Sequence, residues 1–253
     1  MIYAAACIWL LIAVFMAWGI DRLWATMVTQ RTLDILLFPG TAIAYIGRIV
    51  ALLVTGARLN PKAVAPPDKK EPRAFDGFPY EPNVPFFGPL MVAFVPLAFT
   101  LLAIYVVLTR FGQPVLESVA GVDTKTVAFE LPVSLSVFWD QLRGMITLAE
   151  RTLDGLRHSN AVDWQVFLLT YLLISLSVRL SPFKGNAAGH LGAIVILSAA
   201  SALIGTLTSR PAEIIAGGWP LFCVTIGTLV LLLLGTLAAR GVFETIRLLS
   251  HRA

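Results

Sequence analysis

Six stretches of this chain are apolar and close to the length a helix needs to cross a bilayer, and that recurrence narrows the folds open to it. They cover residues 2–20, 33–55, 86–108, 164–180, 190–208 and 219–237. Such helices satisfy their own backbone hydrogen bonds, as hydrocarbon requires. Charged residues are 13% of the 253-residue chain, against roughly 25% in a soluble domain. The mean hydropathy is +0.81. Alternating strands of about ten residues, the mark of a membrane barrel, do not occur. The sequence therefore predicts an all-α, polytopic helical membrane protein with about six spans.

The first run lacks a basic leader and is long for a signal-peptide core, so it is expected to stay as a span, with Trp18 and Trp24 as interfacial anchors. Pro39 sits in the first turns of the second span, and Pro96 breaks the third. Residues 60–85 are rich in proline and charge and read as a loop. Residues 112–163 read as an extramembrane region whose latter part, 138–156, is an amphipathic helix. Phe138, Leu142, Met145, Ile146, Ala149, Leu153 and Leu156 recur at three- and four-residue steps. Asp140, Arg143, Glu150, Asp154 and Arg157 take the other side. This helix is expected on the membrane surface or on another subunit. Phe138, Leu142, Met145, Leu153 and Leu156 are the candidate partner contacts. The fifth run carries Ala199, Ala200, Ser201, Ala202 and Gly205, which permit close helix approach.

Six spans place both termini on one side. Lys62, Lys69, Lys70, Lys184 and Arg240 then share that side, against Arg22, Arg31 and Arg210 opposite. This bias favours cytoplasmic termini, in a bacterial inner membrane. The net charge of +4 sits beside spans, so lipid head groups explain it without nucleic acid. Cys7 and Cys223 lie in apolar runs, and His158, His190 and His251 have no ligand spacing. No cofactor or metal is expected.

The stretch FPGTAIAYIGRIVALLVTGARLN, residues 38–60, resembles the zinc-bearing helix of membrane-embedded metalloproteases of the site-2 protease type. Those run PGTxxHExxHAxAxLxTGAK or close to it. The VPLA segment around Pro96 and the hinge YLLISLSVRLSP fit the same family in order and spacing. The resemblance implies its scaffold without its chemistry. Ala44, Tyr45, Ile46, Gly47 and Arg48 fill the HExxH slot. Alanine cannot ligate zinc, tyrosine with a pKa near 10 is a poor base, and arginine repels a cation. In the later hinge, Lys184 and Asn186 stand where the family has aspartates.

Arg48 lies within an apolar run, where an arginine either snorkels or meets a partner. No carboxylate deep in another span offers itself; Asn186, the backbone at Pro96, a lipid phosphate or another protein remain. Three functions are weighed. The chain is a non-catalytic, metalloprotease-like scaffold that binds other membrane proteins, or a structural accessory subunit of a hetero-oligomeric membrane complex. Transport of a small solute or ion ranks below both, because the halves do not repeat each other.

Overall fold

The computed structural model describes residues 2–56, 58–59, 80–81, 87–120, 134–158, 164–181, 192, 194–196, 198–199, 202–203 and 210–250. Eight helices are complete among them: α1 (Ile2–Met27), α2 (Gln30–Leu36), α3 (Phe38–Val54), α4 (Phe87–Phe111), α5 (Gln113–Ala120), α6 (Leu135–His158), α7 (Trp164–Val178) and α8 (Arg210–Ser250). A two-residue antiparallel ladder joins β1 (Arg58–Leu59) to β2 (Tyr80–Glu81). Ala5–Met27, Leu90–Phe111 and Gly217–Thr245 are long and apolar enough to cross a membrane. Phe38–Val54 and Trp164–Val178 are shorter apolar helices. The chain is thus a helical membrane protein. The loop expected over 60–85 lies outside the described residues except at β2, and the fifth run is described only in pieces.

The second apolar run begins as two helices. Pro39 has no N–H for the carbonyl four residues earlier, so α2 stops at Leu36 and α3 restarts after a turn at Leu37. From there α3 turns one small-residue face inward: Gly40, Ala44, Gly47 and Ala51 are buried. This face lies on α4 at its proline. A Cβ on Gly47 would meet Pro96 Cα at 2.7 Å and Phe99 Cβ at 3.1 Å. The missing side chain is what lets the two backbones meet, which is how helices associate where lipid supplies no hydrophobic drive. Thr100 Oγ1 donates to the Pro96 carbonyl at 2.9 Å, and α4 runs unbroken from Phe87 to Phe111 through the proline, where the sequence led to the expectation of a break.

Five contacts fix the directions of α1, α3, α4, α7 and α8. Trp9 meets Trp219 edge to face with centroids 6.5 Å apart, and Trp24 Nε1 donates to Thr236 Oγ1 at 2.8 Å. Low numbers meet low and high meet high, so α1 and α8 run parallel. Arg179, just past α7, pairs with Asp21 late in α1, so α7 also ends at the Asp21 end of the bundle. Ser175 touches the first turn of α3, so α3 starts at that end and runs back. The β1–β2 ladder sets the end of α3 beside the start of α4, so α4 returns toward the Asp21 end.

These directions differ from the expectation. Six alternating spans would set α1 against α8 and α4 against α7, with residues 112–163 held outside and both termini together. Here α4 arrives at the Asp21 end and α7 departs from the Trp9 end. Between them, Gly155 near the end of α6 packs on Val115 and Ser118 of α5, just past the end of α4. The start of α1 and the end of α8 lie at opposite ends.

The core follows from this. α6 packs against α8 and α5 through Gln141, Gly144, Leu148, Ala149, Thr152 and Gly155, all buried. A Cβ on Gly227 would strike Thr152 Oγ1 at 2.4 Å and the Leu148 carbonyl oxygen at 2.7 Å. Leu148, Leu173, Val224 and Leu229 belong to one cluster with Trp9, Ile104 and Val115.

The Gly47 contact is testable. Replacing Gly47 by Leu forces α3 off the Pro96 backbone and should cost about 2 kcal/mol. Gly19, whose Cβ position has nothing within 4 Å, should accept Leu with little change. Thermal unfolding of both variants in detergent measures the difference.

Candidate functional site

Two polar clusters and one closed slot are candidates. The first cluster grows from the α2–α3 break. The α3 N-cap residue, Leu37, has no polar side chain to cap the helix. Ser175 of α7 does so from outside: the Gly40 N–H donates to Ser175 Oγ at 2.8 Å. The same hydroxyl donates to the Leu37 carbonyl at 3.0 Å, which also receives the Thr41 N–H and hydroxyl at 2.9 Å each. Free helix-end donors need partners, and here the partner comes from 135 residues away. Only glycine fits: a Cβ at position 40 would lie 2.2 Å from the Ser175 carbonyl oxygen.

One turn farther along, Arg179 sits between two carboxylates. Its Nη2 donates to Asp34 Oδ1 at 2.5 Å, and its Nη1 is 3.9 Å from Asp21 Oδ1. The three side chains keep only 16%, 15% and 12% of their exposure. Two acids on one arginine leave a net negative charge in a half-buried place where α1, α2 and α7 meet. Sequence reading set Asp21 in a connection, Asp34 at a span start and Arg179 in a hinge, and did not join them. An arginine at the end of one apolar run and aspartates flanking two others was the available signal.

The slot of the family resemblance looks different. Ala44 is buried and Gly47 is pressed against Pro96. Tyr45 and Arg48 are half-buried on the neighbouring faces of α3, each engaged by other groups. Lys184 and Asn186 lie outside the described residues, so the hinge half of the expected site is not placed. Two apolar cavities open elsewhere. One of about 410 Å³ lies between Tyr3, Leu10, Phe94, Leu97 and Phe222. The other, about 390 Å³, lies between Trp24, Leu33, Leu36, Leu231 and Thr236. Neither reaches Ala44 or Arg48.

The second polar cluster is the outer face of α6. Met145 and Leu156, expected as partner contacts, pack on the chain's own core. Phe138 is exposed, and Leu142 and Leu153 are half-buried. Asp140, Arg143, Glu150, Arg151, Asp154 and Arg157 are all exposed. Leu148 and Thr152 touch Gly227, which lies midway along the uncharged stretch from Glu213 to Arg240.

No protein-family model, no curated protein and no solved structure matches the chain.

The Arg179 cluster predicts a graded series. Arg179→Leu leaves two half-buried carboxylates facing each other and should cost about 3 kcal/mol of stability. Adding Asp21→Asn and Asp34→Asn to it should recover most of that loss. Ser175→Ala, which leaves the Gly40 N–H without its acceptor, should cost about 2 kcal/mol. Unfolding midpoints in detergent rank all of these.

Proposed function

We propose that this chain is a non-catalytic integral membrane scaffold, a structural subunit that holds other membrane proteins in a bacterial inner membrane. The observation that carries the reading is the use made of the α3 face. The metalloprotease-like helix spends its Gly40, Ala44, Gly47 and Ala51 face on contacts with its own neighbours. A face closed by backbone contact serves as a joint. The resemblance to site-2 protease-type enzymes supplies the scaffold part of the reading. Ala44, Tyr45 and Arg48 supply the non-catalytic part, since none can ligate zinc or act as its base. The exposed charged outer face of α6 supports the structural part, as a surface open to a polar neighbour.

A second reading keeps the scaffold and changes its use: the chain binds a client helix beside Tyr45 and Arg48 without cutting it. The half-burial of these two side chains favours it.

The tagged protein, extracted from its own host in mild detergent, separates the readings by native mass spectrometry. The structural role predicts an assembly of fixed ratio that survives Tyr45→Trp. Client binding predicts a substoichiometric partner lost on that change. A lone chain carrying one zinc and cleaving membrane peptides would sink both.

A further inference from the structure

The cavity of about 390 Å³ sits where the end of α1, the short α2 and the later part of α8 meet. Its depth in the membrane follows from α8. The uncharged stretch 214–239 rises about 39 Å, against roughly 30 Å of hydrocarbon and about 40–45 Å with the head groups included. Arg240 therefore stands at head-group level. The α8 wall begins at Ala239, just beneath it, and ends at Leu231, about 12 Å nearer the hydrocarbon centre. Among the lining side chains Leu36 keeps 55% of its exposure, Met27 40% and Val28 39%. The cavity thus opens on the surface of the bundle, at a depth where that surface meets lipid.

Its inner walls are apolar and its outward rim is polar. Gly235 widens the inner part. Gly40, Gly47 and Gly227 let other groups come close, whereas a Cβ on Gly235 would have nothing within 4 Å. At the rim, Arg240 follows Thr236 by one turn on the same side of α8. It stands over the Trp24–Thr236 hydrogen bond that closes one wall. Long helical side chains lean toward the start of their helix, here back toward the cavity. Thr29 and Thr32 precede the lining residues Leu33 and Leu36 by one turn each. Their hydroxyls bond each other at 2.8 Å. That bond uses one proton, so the pair keeps a second to donate. Arg240 and both threonines are exposed, and Arg240 forms no ion pair among the described residues. The nearby Asp21 and Asp34 carboxylates turn to Arg179 instead, and Glu244 lies a further turn out along α8.

We propose that this cavity is a binding site for one glycerophospholipid. An acyl chain lies along Leu33, Leu36, Gly235 and Leu231, and the phosphodiester accepts hydrogen bonds from Arg240 and from the Thr29–Thr32 pair. The order of groups along the site is the order along the lipid: a cation and hydroxyls at head-group level, then an apolar slot directed inward. A guanidinium is suited to a phosphate oxygen, and the bond gains strength beside an apolar wall. The lipid would join α2 to α8 through a ligand and so brace the point where α2 gives way to α3.

The test uses the purified full chain, stripped of lipid in detergent, with phosphatidylglycerol added back. Native mass spectrometry should show one phosphatidylglycerol per chain. A diacylglycerol with the same two chains, which lacks the phosphate, should bind at least roughly tenfold more weakly, and Arg240→Ala should weaken phosphatidylglycerol by about the same factor. Gly235→Leu should abolish binding and leave the unfolding midpoint in detergent unlowered, because the added side chain meets only the cavity. Arg240 is exposed, so its variant reads the site even if the Gly235 variant is destabilised. Equal binding of the two lipids overturns the proposal. So does binding that Arg240→Ala leaves unchanged, or that a folded Gly235→Leu chain retains. Displacement by excess inorganic phosphate would mark a free-anion site, and a dimer that excludes the lipid would mark a protein contact; either overturns it. The scaffold reading survives each of these results, because it rests on α3.

Discussion

The bundle depends on one hydroxyl reaching a helix end that its own sequence leaves uncapped. Ser175 accepts from Gly40 and donates to Leu37, and so joins α7 to the point where α2 gives way to α3. In lipid an unmet backbone group costs far more than at a wet surface, so a break at Pro39 needs such a partner. The break in turn lets Asp34, on α2, swing toward Arg179 while α3 continues along α4. Local proline chemistry, a distant serine and an ion pair are thus one construction. It fixes the end of the bundle at which α7 finishes and α3 begins.

Composition and apolar runs made the membrane class and the helical content legible. Pro39 was also readable, because a proline near a helix start acts locally; Pro96 was misjudged as a break, since α4 runs through it from Phe87 to Phe111. Direction was not legible. Counting runs assumes that each run reverses the one before, and α7, which ends at the same end of the bundle as α4, breaks that assumption. The seven-residue pattern of α6 has two usable faces. The larger side chains, Phe138 to Leu156, looked like the contact face. The structure buries Gly144, Thr152 and Gly155 as well, because close approach to Gly227 rewards small residues over large ones. A hydrophobicity pattern does not register that preference.

The same blindness hid the Arg179 cluster. Arg48 drew attention because it stands alone in its run, and a search for deep carboxylates found none. Asp21 and Asp34 flank their runs, and only the packing of three helices brings both to Arg179. In the family-like slot, sequence stated which side chains are present. It did not state that backbone contact at Pro96 closes the face.

The shortness of α3 bears on how the protein is made. Its 17 residues span about 25 Å, less than the hydrocarbon layer of about 30 Å, and Arg48 adds to the difficulty. Such a helix is a poor candidate to leave a translocation channel alone. Its partner is already specified: the β1–β2 ladder returns the chain at once to α4, whose Pro96 fits Gly47. Biogenesis is thus biased toward release of the two as a preassembled hairpin, with α3 held back until α4 emerges. The ribosome must have delivered residues well past 100 before α3 can settle in lipid.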